Sequence, residues 1–375
     1  REPCKIYRFK VTAVNEGGES FPSEILSMGI TENSKAPTVL VVNNFTRVCA
    51  PSSFASKDSL YGGLMDYIDA GVPYIRDISY IGPMHEFRRS IPWMDDDAAG
   101  FGASYSNYEN KAVAGNTFDY PLIHGAAIMK AGYNFVSTSV SAVCSEISDM
   151  KKYKYVDIIA GKQARTLIGR DKLSSGLDIY AADLKFNVFP KDLIEKISEF
   201  CKKGGSLLIS GANIASNSWD RIYDYTLDSA TIADVIMPER QFIQDVLKYK
   251  WMTNYATISG KVKGVQNPFG FPIATYSFEM KPNNAKYAVE SPDALVPAGK
   301  ESYSIFRYSD NNISAGVAYA GKDYKCVSLG FPIEALSSQD QIDAIMAEML
   351  KFLSSDIKQG SAAGAKVANK KSSDK

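Results

Sequence analysis

The chain has 375 residues, 45% of them hydrophobic and 22% charged, and its 42 Lys+Arg balance its 42 Asp+Glu. That is ordinary globular composition, long enough for one large domain or for two or three smaller ones. A net charge of zero argues against a polyanion-binding surface, so nucleic acid is not an expected partner. No stretch approaches the ~18 apolar residues of a membrane span.

The first residues, "REPCKIYRFK", begin without Met and in mid-strand, and the expectation is a piece of a longer polypeptide with any export signal upstream. In "YRFKVTAVNEGGESFPSE" Tyr7, Phe9, Val11 and Ala13 alternate with polar residues, Asn15 to Gly18 make a turn, and a second strand follows. Two strands are marginal alone, so residues 1–32 are expected to be the end of a domain continued upstream. A short polar linker follows at 33–37.

From Thr38 to about residue 356 strand and helix signals alternate at first. "TVLVVNN", "NFVSTSV", "YVDIIAG" and "SLLISGA" are apolar runs that predict buried strands. Between them "SLYGGLMDYIDAG", "YPLIHGAAIMKAG" and "FPKDLIEKISEFCKKGG" predict helices ended by glycine. Strands separated by helices imply right-handed crossovers and a mainly parallel sheet, with "TVLVVNN", "YVDIIAG" and "SLLISGA" adjacent. Further on, "YATISGKVKGV", "YSIFRYS", "NISAGVAYA" and "KCVSLGF" are β-rich with hairpin-like spacing. The helix "SSQDQIDAIMAEMLKFL" has Ser338 as its expected N-cap and an apolar stripe of Ile342, Ile345, Met346, Met349, Leu350 and Leu353. Residues 357–375 are small, polar and Lys-rich, and predict disorder.

"GGSLLISGANIA", and "YKCVSLGFPIEAL" with the helix ending "MLKFL", resemble class I glutamine-amidotransferase-like domains of secreted carbohydrate-active bacterial proteins. Tyr7, Asn15, Gly18, Ser20 and Ser23 resemble the closing pattern of a fibronectin type III sandwich. "GVPYIRDISYIGPMHEF", "WMDDDAAGFGAS" and "GNTFDYPLIHG" resemble the C-terminal region of secreted bacterial proteins named xanthan lyase or N-acetylmuramoyl-L-alanine amidase. These resemblances imply an α/β fold: a flavodoxin-like, mainly parallel sheet with helices on both faces, preceded by the last fibronectin type III strands. They also imply a secreted, periplasmic or cell-surface setting, a polysaccharide or peptidoglycan partner, and upstream domains that include, in amidase-type members, the zinc-dependent catalytic domain.

The turn "SGAN" at 210–213 stands where such a fold presents a nucleophile, yet neither Cys nor a G-x-S-x-G frame is there. Of the 5 Cys, at 4, 49, 144, 201 and 326, none forms a CxxC pair; Cys201 falls in a predicted helix and Cys326 in a late strand. The 2 His, His85 and His124, both precede the turn and lack metal-ligand spacing, so neither glutaminase chemistry nor a cofactor is expected.

The richest polar concentration is an insertion at about 72–120, where Asp95, Asp96 and Asp97 stand among Trp93, Phe101, Tyr105, Tyr108, Phe118 and Tyr120. Aromatic faces with carboxylates and amides suit sugar rings, and equally suit a packed covering loop. The Asp triplet offers hard oxygens for Ca²⁺ without a D-x-D-x-D-G loop, the alternative being a solvated or helix-capping turn. Candidate ligand-binding residues are Asn43, Asn44, Trp93, Asp97, Asn116, Asp119, Gln163 and Asn213. Those at predicted strand ends, Asn43, Asn44, Gln163 and Asn213, serve equally as loop caps. Asp97 and His124 are the weak catalytic candidates, His124 being read also as a satisfied structural histidine. The leading expectation is a non-catalytic binding or scaffold region of a polysaccharide-acting protein; the alternative is a glycan or peptidoglycan hydrolase using the insertion's carboxylates and His124.

Overall fold

The computed structural model describes residues 2–19, 23–45, 119–172, 178–219, 232–280 and 286–356, and between 46 and 118 only the backbone of short strands. Three strongly apolar runs form the middle of the sheet. They are β3 (Thr38–Asn43), β5 (Tyr155–Gly161) and β6 (Ser206–Gly211); β1 (Ile6–Phe9) and β2 (Leu26–Gly29) precede β3 in the chain, and β4 (Asn134–Ser139) lies between β3 and β5. β3, β5 and β6 are buried on both faces because side chains alternate across a strand. Val39, Val41, Ile159 and Leu208 face one cluster with helices α1 (Tyr120–Lys130) and α6 (Gln339–Ser354). Leu40, Val42, Ile158, Leu207 and Ile209 face another with α3 (Lys191–Lys202), which follows the short α2 (Val140–Cys144). In α3 Leu193, Ile197, Phe200 and Cys201 fall at helical spacing on the buried side. Ser338 caps α6, its Oγ accepting the Gln341 N–H.

Among the described residues eleven strands join in one mixed sheet, in the order β1-β2-β4-β3-β5-β6-β13-β12-β11-β8-β9. The later strands are β8 (Lys261–Gly264), β9 (Thr275–Ser277), β11 (Ser302–Tyr308), β12 (Ser314–Ala320) and β13 (Lys325–Leu329). A separate antiparallel pair joins β7 (Tyr249–Thr253) to β10 (Ala294–Pro297).

This sheet corrects the flavodoxin-like, mainly parallel expectation. Four neighbouring pairs are parallel, from β4 through β3, β5 and β6 to β13. Six are antiparallel, two on one side and four on the other. The result is a β-rich mixed sheet with few helices. Both open edges of the parallel block are covered by antiparallel strands, which satisfy backbone groups an exposed edge would leave unpaired.

The N-terminal strands are likewise not the end of a separate fibronectin sandwich. β2 pairs with β4, Met28 opposite Val136 and Gly29 opposite Phe135, and Ser27 N–H donates to Ser137 Oγ at 2.6 Å. A Cβ on Gly29 would lie 2.2 Å from the Met129 sulfur and 2.8 Å from the Phe135 ring, so a side chain there would have to displace both. The 33–37 segment is also tied down, since Asn134 Nδ2 donates to the carbonyls of Ser34 and Ala36 at 3.2 and 2.9 Å.

The helix expected over "SLYGGLMDYIDAG" is corrected too: Tyr61–Met65 is a strand paired with Ser52–Ala55 and His85–Arg88. Gly62 and Gly63 weaken a helix there. The remainder of that segment and the tail 357–375 lie outside the described residues.

Candidate functional site

Where the parallel strands end, three side chains close over the sheet. Phe45, just past β3, stacks on Tyr120 with ring centroids 5.2 Å apart, and Tyr287 meets both edge-on at 5.4 and 5.7 Å. Gly161 ends β5 at φ +49°, and a Cβ on it would sit 2.3 Å from the Phe45 ring.

Beneath these rings lies a buried ionic cluster. His124 on α1 points at the sheet, its Nδ1 2.7 Å from Oδ2 of Asp157 and its Nε2 3.1 Å from Oε2 of Glu334. Asp157 is the polar break in "YVDIIAG" on β5, and Glu334 comes from the short 3-10 turn Ile333–Ala335 after β13. Tyr287 donates its phenol to Glu334 Oε1 at 2.8 Å, and Lys286 donates to the carbonyls of Glu334 and Leu336. Asp157 Oδ1 has no hydrogen-bond partner among the described residues. Burial opposes a charge on His124, but the charges and hydrogen bonds of Asp157 and Glu334 outweigh it and hold its pKa up at about 10. The imidazole is therefore a cation clamped between two carboxylates, with 0% exposure, and does not reach solvent as a base would.

A second polar cluster lies where β5 and β6 end. Arg165 Nη2 donates to Glu239 Oε2 at 3.2 Å, both side chains 1% exposed. Glu239, on the short α5 (Met237–Phe242), also accepts from Ser218 Oγ at 2.7 Å and from Asn187 Nδ2. Asn217 Nδ2 donates to Asn187 Oδ1 at 2.7 Å, and the Arg165 N–H donates to Asn217 Oδ1 at 2.6 Å. Asn217 and Ser218 belong to the one-turn α4 (Ser216–Trp219). Burial raises the Glu239 pKa, with Arg165 pulling against it.

The residues singled out from sequence fall around these clusters. Asn43, Asn44 and Gln163 are buried and Asn213 is half-buried at the carboxyl ends of adjacent parallel strands, as the strand pattern predicts. Asn43 Nδ2 donates to Glu24, whose pKa burial raises, and its Oδ1 accepts the Phe45 N–H at 3.3 Å. Asn44 Nδ2 donates to the Val188 carbonyl at 2.8 Å, and Asn213 Nδ2 to the Lys162 carbonyl at 3.1 Å. Lys162 itself pairs with Glu290 at 2.6 Å. Asp119 precedes α1 without a side-chain cap and lies 3.9 Å from the Arg8 guanidinium. Trp93, Asp97 and Asn116 lie outside the described residues.

Ser210 is fully buried, and burial pushes the Cys326 thiol up to about 12 and the Cys201 thiol well above its ordinary value, so none of the three is a poised nucleophile. Among the described residues no group of His, Cys, Asp and Glu is arranged to hold a metal ion, and no helix is long and apolar enough to cross a membrane. Sequence reasoning passed over Asp157, Glu334, Arg165 and Glu239. The available signal was a charge inside an apolar run, which must be paired if the run is buried.

No protein-family model matches the chain, and no curated protein matches it. Among solved structures it is similar to the polyextremophilic β-galactosidase from the Antarctic haloarchaeon Halorubrum lacusprofundi, at 14% identity and a TM-score of 0.37. That match covers 65% of this chain and 28% of the galactosidase. An exo-β-1,4-mannosidase from Opitutaceae bacterium strain TAV5 matches at 9% identity and a TM-score of 0.35, covering 62% of this chain and 30% of that one. A cytoplasmic protein from Salmonella typhimurium LT2 matches at 11% identity and a TM-score of 0.41, covering 84% and 99%. The chain thus spans under a third of the two glycosidases, and likenesses at these TM-scores carry no argument about its activity.

Proposed function

We propose that this chain is a non-catalytic accessory region, acting as a scaffold or binding module, in a protein that works on cell-wall glycan or another polysaccharide. One observation carries the scaffold part. At the carboxyl ends of β3, β5 and β6, where α/β sheets present reactive groups, Asn43, Asn44 and Asn213 bond back into the chain, and Arg165 pairs with the buried Glu239. The glycan part rests on the sequence resemblance and on the sugar-compatible composition of the 72–120 insertion. The same burial that holds His124 between Asp157 and Glu334 counts against a hydrolase using it as a base.

Affinity electrophoresis of the purified chain through peptidoglycan and polysaccharide gels, with reducing ends assayed in parallel, tests both parts. Retardation without release of reducing ends is expected. Release that disappears in Asp97→Asn would overturn the non-catalytic reading, and free migration through every polymer would overturn the glycan partner.

A further inference from the structure

The far end of the sheet sets like charges side by side. β8 lies between the edge strand β9 and β11. Val262 stands opposite both Tyr276 and Tyr308, and all three are buried in the core. Side chains alternate across a strand, so the neighbours of Val262 point the other way. Lys261 and Lys263 are exposed on that side. Lys263 stands directly opposite Thr275 on β9 and opposite the half-buried Arg307 on β11, and Lys261 stands opposite Ser277. One outward face therefore gathers three cations and two hydroxyls.

Like charges directly opposite one another in an antiparallel pair are destabilising, and Lys263 meets Arg307 in that way. Among the described residues no carboxylate pairs with Lys261, Lys263 or Arg307. Asp310, close by in the chain, is engaged elsewhere: it accepts from Thr257 Oγ1 at 2.9 Å and from the N–H groups of Ile258 and Ser259 at 2.9 and 3.3 Å. Arg307 is held in place through its Nη1, which donates to the Asn312 carbonyl at 2.7 Å. Lysines on an open sheet edge discourage pairing with another chain, but that device belongs on the edge strand. Here the outward residues of β9 are Thr275 and Ser277, and the cations lie one and two strands further in.

We infer that this face binds the carboxylates of an acidic polysaccharide, its chain lying along β8 with Lys261 and Lys263 on neighbouring acidic units and Arg307 beside them. The inference rests on the glycan reading above and narrows it to a polymer with charged sugar units. The two lysines stand about 7 Å apart along the strand, a spacing their flexible stems adjust, and a guanidinium can hold a carboxylate through two parallel N–H bonds. Thr275 and Ser277 add hydroxyls that both donate and accept, as sugar hydroxyls do. A carboxylate between Lys263 and Arg307 relieves their repulsion, so the charges that cost stability in the free chain favour binding. The balanced charge of the whole chain supplies no wider field for a nucleic acid, which leaves recognition to this one face.

Affinity electrophoresis of the full chain at low salt tests the face with three probes: polygalacturonate, the same polymer with its carboxylates methyl-esterified, and single-stranded DNA. Strong retardation by polygalacturonate and little by the ester or DNA is expected. Lys261→Gln combined with Lys263→Gln should weaken polygalacturonate binding about tenfold, while the melting temperature holds or rises. Lys261→Arg with Lys263→Arg should retain binding, as should Lys202→Gln with Lys203→Gln, which removes two exposed charges at the end of α3. Undiminished binding in the first variant, an equal loss in the last, or equal retardation by the ester would each overturn the inference and leave the glycan reading standing. Equal retention by DNA through the same two lysines would overturn the sugar part, making the face a general polyanion surface. Free migration through polygalacturonate with retention by a neutral polymer overturns this inference alone; free migration through every polymer overturns the glycan reading with it.

Discussion

His124 carries opposite expectations as a base and as a buried cation, and the two differ in a measurable way. Removing it as His124→Leu leaves Asp157 and Glu334 buried and facing one another, which should cost about 3 to 5 kcal/mol in urea denaturation at pH 7. The sign with pH follows from a folded pKa of about 10 against an unfolded value near 6.5. The contribution is complete below pH 6.5 and disappears as pH rises through 10. The stability gap between the native chain and the variant should therefore narrow steadily from pH 7 to 10, and a gap that stays constant would contradict the imidazolium. Arg165→Met should cost about 3 kcal/mol at pH 8 and less at pH 5, because Glu239, already raised by burial, can then take a proton. None of these partners could be named from the sequence, since His124 and Glu334 are 210 positions apart. What was legible is that Asp157 and Glu334 interrupt apolar runs, and burial makes such a charge seek a counter-charge.

The elements themselves depend on close packing at a few positions. Gly125 lies where α1 crosses β4, and a Cβ there would fall 2.1 Å from the Phe135 ring. Gly125→Ala should therefore destabilise by about 1 to 3 kcal/mol in denaturant melts despite its better helix propensity, because a rigid ring must move inside a filled core. A gain in stability would mean that α1 sits farther from the sheet. The helices α3 and α6 were legible because an amphipathic stripe is a local pattern, repeated every 3.6 residues. Tyr61–Met65 was misread as helix because a short apolar run fits either period, and its glycines decide only once partner strands are present.

The N-terminal strands β1 and β2 are built into the eleven-stranded sheet. Deleting residues 1–31 removes β1 and β2, strips the edge of β4, and takes Thr31 from Asn134, to which its N–H donates at 2.8 Å. Calorimetry should show a single transition lowered by about 2 to 3 °C, roughly what 1 to 2 kcal/mol produces in a domain of this size. An unchanged melting temperature would restore those strands to a separate domain. The sequence by itself determined that "TVLVVN", "YVDIIAG" and "SLLISG" are strands buried on both faces, since short, strongly apolar runs admit little else. Only the tertiary structure decided that antiparallel strands flank this block on both sides and that its carboxyl ends are closed by Phe45, Tyr120 and Tyr287 over an ionic cluster. The reason is that burial is written in side-chain identity along the chain. Strand pairing is made by backbone groups that every residue shares, so direction and neighbour emerge only when distant segments meet.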